Sequence, residues 1–147
     1  MLNQGRVPSS KVLAYLIVTP SKSEKAKLKL ADDEMILRME RIRFADGIPI
    51  CFEVASIPER LIRPFSKEEI TASLYATFEE KGGYQIGAAN QTITAILASE
   101  QVAEYLDVKK GEAILRMRQI SFFDDGTPFE YVRSQYVGSR FEFYLEK

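Results

Sequence analysis

The sequence predicts an α+β fold in which an antiparallel sheet is packed with helices on one face. The first observation is a repeated strand-turn-strand segment, which reads ILRMERIRFADGIP at residues 36–49 and ILRMRQISFFDDGTP at residues 114–128. The copies are 78 residues apart before the turn and 79 residues apart after it, because the second turn has one extra residue. The second observation is that helical segments lie between the hairpins rather than after every strand, which argues against a parallel, doubly wound sheet. We therefore expect two hairpins related by approximate internal symmetry.

A strand and a short helix are predicted ahead of the first hairpin. Residues 11–19 are β-rich and mostly apolar, and Pro20 ends this strand. Residues 21–30 are rich in lysine, and Ser21 or Ser23 can cap them, which predicts a brief helix.

The two hairpins are predicted from their turns. An Asp-Gly pair supplies the positive φ angles that a tight hairpin turn requires, and each copy of the repeat contains one. The first hairpin should join residues 35–44 to residues 48–56. The second should join residues 113–123 to residues 127–137.

The segment between the hairpins begins with a predicted connection at residues 58–64. A helix should follow, because Ser66 and Glu69 form a capping box, and the apolar residues Ile70, Leu74 and Phe78 then share one helix face. Two more elements complete the prediction: an extended segment at residues 84–98 and a short helix at residues 99–106, capped by Ser99.

Composition excludes several classes of protein. The 147 residues suffice for one domain, and no segment reaches the roughly 20 apolar residues that span a bilayer. Residues 1–10 lack a signal-peptide pattern, so we expect a cytoplasmic protein without a membrane partner. The only cysteine, Cys51, excludes an internal disulfide and is expected to be buried, and the absence of histidine argues against a zinc site or a Ser-His-Asp triad. We expect no metal and no cofactor, and the net charge of −1 argues against DNA binding by this chain alone.

The two copies of the repeat differ in their charged residues. Arg41 and Arg43 of the first copy correspond to Gln119 and Ser121 of the second. Because residues two apart on a strand share a face, the two arginines should point the same way. Paired guanidinium groups suit phosphate through bidentate, charge-assisted bonds. Spacing alone is equally consistent with a solvated face whose arginines pair with neighbouring acids.

Five further residues are candidates for binding. Glu53 lies on the returning arm of the first hairpin, where it can line the same cavity as the arginines or form a simple salt bridge with them. Ser73 can lie near a helix start, where backbone N–H groups favour an anion, and Tyr75 follows it. Glu130 and Tyr136 share a strand face. The residues alone favour plainer roles for these four. Ser73 is more often a tolerated helix residue, Tyr75 and Tyr136 more often pack than bind, and Glu130 is more often a carboxylate on the sheet surface.

Short motifs occur along the chain in a definite order. They are R-x-R at 41–43, A-D-G-I-P at 45–49, Glu53 with S-I-P at 56–58, S-L-Y at 73–75, A-x-x-L at 103–106 with a Lys-Gly turn, and D-G-T-P-F-E at 125–130 with a final Tyr136. This order resembles the UTRA domain, the effector-sensing half of HutC-like repressors in the GntR family, over nearly the whole chain. Residues 136–140 depart from the family's usual Y-x-G-D-R by having serine in place of aspartate.

The resemblance implies a chorismate-lyase-like fold, a homodimer and a pocket for a small anionic metabolite such as a phosphorylated sugar. It implies that the arginine pair and the serine receive the phosphate and that the other positions belong to the same pocket. The residues carried over are Arg41, Arg43, Ser73, Tyr75, Glu53, Glu130 and Tyr136.

The resemblance also sets an expectation for the whole protein. Residues 1–147 should form one UTRA-type effector-binding domain, and the upstream winged helix-turn-helix and the start of the domain should be absent from this chain. DNA would then be bound only through the absent domain, and the effector would control that binding. We expect no enzymatic activity. A chorismate-lyase-like enzyme and a dimerisation module without a ligand are the alternatives.

Overall fold

The computed structural model describes residues 6–144 and residue 146. Its strands form a six-stranded antiparallel sheet in the order β1-β2-β3-β6-β5-β4. The strands are β1 (Pro8–Val18), β2 (Ile36–Ala45), β3 (Ile48–Pro58), β4 (Ile86–Leu97), β5 (Ala113–Phe123) and β6 (Pro128–Val137). The helices are α1 (Lys22–Lys27), α2 (Glu59–Ile62), α3 (Lys67–Ala72), α4 (Leu74–Glu80) and α5 (Glu100–Leu106). The predicted α+β class and antiparallel sheet are confirmed.

The internal repeat builds the two halves of the sheet. The unit β1-α1-β2-β3 recurs as β4-α5-β5-β6, and the two units meet where β3 pairs with β6. Both predicted turns are present, with Gly47 at φ +76° and Gly126 at φ +88°. The approximate symmetry leaves β1 and β4 as the two edge strands, each far from the central β3–β6 pair.

Serine residues cap four of the short helices. Ser21 caps α1 and Ser66 caps α3, each in a full capping box, and Ser99 caps α5 through the Val102 amide. The helix predicted from residue 66 onward is instead two helices, since Ser73 is extended with φ −166° and ψ 110° and serves as the cap of α4. The predicted connection at residues 58–64 contains the single turn α2.

Helices cover both faces of the sheet, so the expectation of helices on one face was wrong. Leu28, just after α1, packs on Ile36, and α5 packs on Ile42, whereas α2, α3 and α4 pack on Leu37 and Met39 of the same strand. Even and odd residues of a strand point to opposite faces. Because β2 is apolar at both kinds of position, the sheet must be covered on both sides. In the part of the chain that the structure describes, no helix is long and apolar enough to cross a membrane.

Candidate functional site

A cavity of about 310 Å³ lies between the sheet and the α3–α4 segment. Strands β2, β3, β6 and β5 form its floor, and residues 70–75 form one wall. The seven residues singled out from the sequence all line it: Arg41, Arg43, Glu53, Ser73, Tyr75, Glu130 and Tyr136. The sheet register explains this convergence, because Arg41 pairs with Glu53, and Glu53 pairs with Ser134.

The two arginines converge on one carboxylate oxygen. Arg41 donates to Glu53 Oε1 from Nε at 2.9 Å and also from Nη2, and Arg43 Nη1 donates to the same oxygen at 3.1 Å. The side chains are largely buried, at 16% exposed for Arg41 and 11% for Glu53. Both alternatives drawn from the sequence are therefore present together, since the arginines line a cavity and also form a salt bridge.

The arginine pair has positive charge and a hydrogen-bond donor that Glu53 does not satisfy. One carboxylate faces two guanidinium groups, so the cluster of Arg41, Arg43 and Glu53 carries a net positive charge. Arg43 Nε is buried and has no hydrogen-bond partner among the described residues. A buried donor without a partner is costly. An anion bound in the cavity would balance the excess positive charge of the cluster and would offer further hydrogen-bond acceptors to the arginines.

Ser73 sits on the wall at the junction of α3 and α4. Its Oγ accepts from the Ala76 amide at 3.2 Å, and its backbone carbonyl accepts from the Thr77 amide at 3.0 Å. A serine hydroxyl has one donor in addition to its acceptor lone pairs. Because the cap uses only an acceptor, the Ser73 proton remains able to donate to an anion.

A network of hydroxyl, amide and carboxyl groups occupies the other part of the cavity. The Tyr75 hydroxyl shares a hydrogen bond of 2.6 Å with Ser121 Oγ and donates to Glu130 Oε1 at 3.2 Å. Gln119 Nε2 donates to Ser121 Oγ at 2.9 Å and to the Tyr75 hydroxyl at 3.3 Å. These donors and acceptors are suited to a ligand that carries hydroxyl or amide groups.

Burial changes the ionisation of the acids in this network. Desolvation and the nearby Glu53 carboxylate raise the pKa of Glu130 to about 7, and the Tyr75 hydrogen bond and the two arginines only partly oppose the rise. Burial and the neighbouring Glu130 raise the pKa of Tyr75 to about 12. Glu130 can therefore carry a proton near neutral pH, when it would add no negative charge to the cavity.

Tyr136 closes the end of the cavity near Arg43. Its ring stacks on Phe141 at 4.3 Å between centroids, and burial raises the pKa of its hydroxyl. Its strand partner Cys51 is 1% exposed, as expected from the sequence, and burial raises the pKa of that thiol as well. Within the described residues, no group of three or more His, Cys, Asp or Glu side chains could hold a metal ion.

Sequence reasoning missed several lining residues, of which Gln119 and Ser134 are polar. The signal for Gln119 was present in the repeat, because it occupies the position that corresponds to Arg41. An approximate two-fold relation brings equivalent positions of β2 and β5 to the same cavity from opposite sides. Ser134 could have been found by counting in twos from Glu130 to Tyr136.

Comparison with known proteins agrees with this architecture. The UTRA domain family matches residues 3–142. The chain is 62% identical to a GntR-family transcriptional regulator from Enterococcus faecalis V583, whose crystal structure superposes with a TM-score of 0.92 over 95% of this chain and 100% of that one.

Two curated relatives are more distant in sequence. The HTH-type transcriptional repressor NagR of Bacillus subtilis is 27% identical over 97% of this chain, and the mannosyl-D-glycerate transport/metabolism system repressor MngR of Escherichia coli is 21% identical over 92% of it. The chain spans 59% and 57% of their lengths. The chain belongs to the UTRA domain family and is an effector-binding domain of the kind found in GntR-family transcriptional regulators.

Proposed function

We propose that this domain senses a small anionic metabolite, a phosphorylated sugar, and thereby controls DNA binding by a winged helix-turn-helix in the same regulator. The observation that carries the proposal is the arginine pair, which faces a cavity with excess positive charge and an unpartnered Arg43 Nε. Guanidinium groups bind phosphate through charge-assisted, often bidentate hydrogen bonds. The phosphate would lie between Arg41, Arg43 and Ser73.

The rest of the ligand would contact the polar network. Tyr75, Glu130 and Tyr136 offer hydroxyl and carboxyl groups, which suit a sugar, and the volume of about 310 Å³ suits a monosaccharide phosphate rather than a large molecule. A relative whose name refers to a mannosyl-D-glycerate system supports a sugar derivative as the ligand class.

Regulation would follow from differential affinity. A ligand shifts the balance between two arrangements of a dimer only if it binds one of them more tightly. We propose that the regulator is a cytoplasmic homodimer and a repressor of the HutC type, in which the effector-bound arrangement changes the spacing of the two DNA-binding heads. The domain itself would perform no chemistry.

A thermal-shift screen tests this proposal. A panel of hexose phosphates, their parent sugars and inorganic phosphate would be applied to the chain, with chorismate assayed separately for pyruvate release. A ligand at 100 times its dissociation constant should stabilise the fold by about 2.7 kcal/mol. Stabilisation by phosphate esters supports the sensor, pyruvate release would favour a lyase, and no response to any ligand would favour a dimerisation module.

Two double variants separate direct contact from overall charge. Arg41→Ala with Arg43→Ala should weaken binding of a phosphate ester by roughly 100-fold or more, since each hydrogen bond to a charged group contributes about 1.5–3 kcal/mol. Arg60→Ala with Arg63→Ala removes the same charge from residues outside the cavity, where the arginines pair with Glu34 and Glu59. Equal losses in both double variants would refute the site.

A further inference from the structure

A second cavity, of about 140 Å³, lies on the sheet face opposite the cavity of Arg41 and Arg43. Arg118 faces this second cavity, whereas Met117 and Gln119 on either side of it line the first one, as expected for alternating strand residues. The lining consists of Lys27 at the end of α1, Asn90, Thr92, Arg118, Ile120 and Tyr131. Among the described residues, the second cavity is thus lined by two cations and by no carboxylate.

The positive charge at this cavity is not balanced. Lys27 and Arg118 form no salt bridge with any residue that the structure describes. Arg118 also lies directly opposite Arg133 in the pairing of β5 with β6, where like charges are destabilising. The Nε atoms of Arg133 and Arg116 are buried and lack a hydrogen-bond partner among the described residues. Excess positive charge and unpartnered guanidinium donors therefore occur on this face, as they do at the first cavity.

The internal repeat shows which acids are missing. In the first unit, Glu24 of α1 accepts hydrogen bonds from Arg38, and Glu40 lies two residues further along the same strand. The residues 78 positions later in the second unit are, in the same order, Val102, Arg116 and Arg118. The second unit has therefore lost both acids of the first, and a cation stands in place of one of them.

We propose that the second cavity binds a small tetrahedral oxyanion, of the size of inorganic phosphate, between Lys27 and Arg118. Ammonium and guanidinium groups both bind phosphate oxygens through charge-assisted hydrogen bonds. The amide of Asn90 and the hydroxyl of Thr92 are further donors. The volume of about 140 Å³ is below the roughly 300–1,000 Å³ of pockets for larger organic ligands, so it suits the ion itself.

An anion at this position would hold the two repeat units together. Lys27 belongs to the first unit, whereas Thr92 and Arg118 belong to the second. A bound ion would therefore fix the end of α1 to β4 and β5 and would raise the stability of the fold. This inference does not rest on the proposed sensor function, because the first cavity lies on the other face of the sheet.

A thermal-shift titration with phosphate tests the site in the Arg41→Ala, Arg43→Ala background, which lacks the cations of the first cavity. Chloride at equal ionic strength is the reference. We expect a saturable rise of the unfolding midpoint, of about 5 °C when phosphate reaches about ten times its dissociation constant. General stabilisation by phosphate does not saturate and is subtracted.

Two pairs of substitutions in that background distinguish the site from overall charge. Lys27→Ala with Arg118→Ala should abolish the saturable rise. The matched control, Lys110→Ala with Arg63→Ala, removes the same two residue types from exposed positions outside the cavity and should retain it. Circular dichroism checks that both variants are folded.

Arg118→Glu gives a second readout, because it introduces the acid that the first repeat unit has at the equivalent position. A carboxylate opposite Arg133 would replace the charge of the bound ion. We expect the midpoint without phosphate to rise and the saturable response to phosphate to disappear.

NMR locates the ion directly. In the Arg41→Ala, Arg43→Ala background, phosphate should shift the backbone amide resonances of residues 90–92 and of Arg118, whereas those of residues 73–75 in the first cavity should stay in place.

Three results would overturn the proposal: no saturable response in the background variant, a response that survives Lys27→Ala with Arg118→Ala, or amide shifts confined to residues 73–75. Because the first cavity's arginines are absent from every protein in this test, the second site can fail while phosphate esters still bind the parent chain, and the reverse also holds.

Discussion

The raised pKa of Glu130 makes the stability of the fold depend on pH, and this dependence can be measured. Its pKa is raised from 4.5 to about 7 by burial and by Glu53. Between these two values the unfolded chain loses the proton and the folded protein keeps it, so stability falls as the pH rises towards 7 and then levels off. Glu130 is buried, so solvent screening does not reduce this effect. Linkage gives a loss of about 2–3 kcal/mol between about pH 5 and about pH 8.

The perturbation is Glu130→Gln, which keeps an acceptor for the Tyr75 hydroxyl but cannot ionise. We expect the unfolding free energy of this variant, measured by urea denaturation and compared with the parent chain, to rise by about 2–3 kcal/mol across that pH range. Glu79→Gln on the exposed surface of α4 serves as the control for an amide substitution. Parallel pH profiles for Glu130→Gln and the parent chain would refute the assigned environment of Glu130.

Three stability predictions follow from other parts of the fold. Glu24→Ala should lower the unfolding free energy in urea denaturation by about 3 kcal/mol or more, because the buried Ser56 and the partly buried Arg38 and Arg133 lose that carboxylate. Asp32→Ala breaks an exposed ion pair and should lower it by less than about 1 kcal/mol, so equal losses would contradict this. Phe78→Ala should cost about 3–5 kcal/mol, since its fully buried ring contacts four other aromatic rings, and a loss below about 1 kcal/mol would be inconsistent with that packing. Gly47→Ala should lower the unfolding free energy by about 1 kcal/mol through backbone strain alone, because φ is +76° and a Cβ would meet open space; an unchanged midpoint would argue against this turn conformation.

Glu24 is almost fully buried, which is rare for a carboxylate. Burial disfavours its charge, but hydrogen bonds from Arg38, from the Ser21 amide and from Ser56 at 2.5 Å outweigh burial and hold its pKa at about 2. This folded pKa is depressed, so the stabilisation is present above about pH 4.5 and is lost as the pH falls towards 2. The Glu24 cluster fixes α1 to the sheet on the face opposite the cavity.

Local sequence patterns predicted most elements of this fold. The Asp-Gly turns, the serine caps and the duplicated hairpin each depend on a few neighbouring residues, and all were found. The shared sheet face of Arg41, Arg43 and Glu53 could also be predicted, because successive side chains of a strand point to opposite faces. These features are local, so the sequence alone specifies them.

Other features depend on contacts between distant segments. A helix start near Ser73 was among the possibilities for ITASLYATF, but the same residues also fit a continuous helix from residue 66, so the local sequence does not decide where the helix breaks. The burial of Glu130 depends on coverage by Tyr75, 55 residues away in sequence. Helices on both faces follow from the apolar residues on both faces of β2, a pattern that the sequence itself contains.

We propose that Arg41 and Arg43 bind the phosphate of an effector. The most direct measurement is isothermal titration calorimetry of one hexose phosphate and its parent sugar with the parent chain and with the Arg41→Ala, Arg43→Ala double variant. We predict that the parent chain binds the ester at least roughly 100-fold more tightly than the parent sugar, and that the double variant binds both equally weakly. An ester preference that survives in the double variant, or equal binding of ester and sugar by the parent chain, would show that the arginine pair does not bind the phosphate.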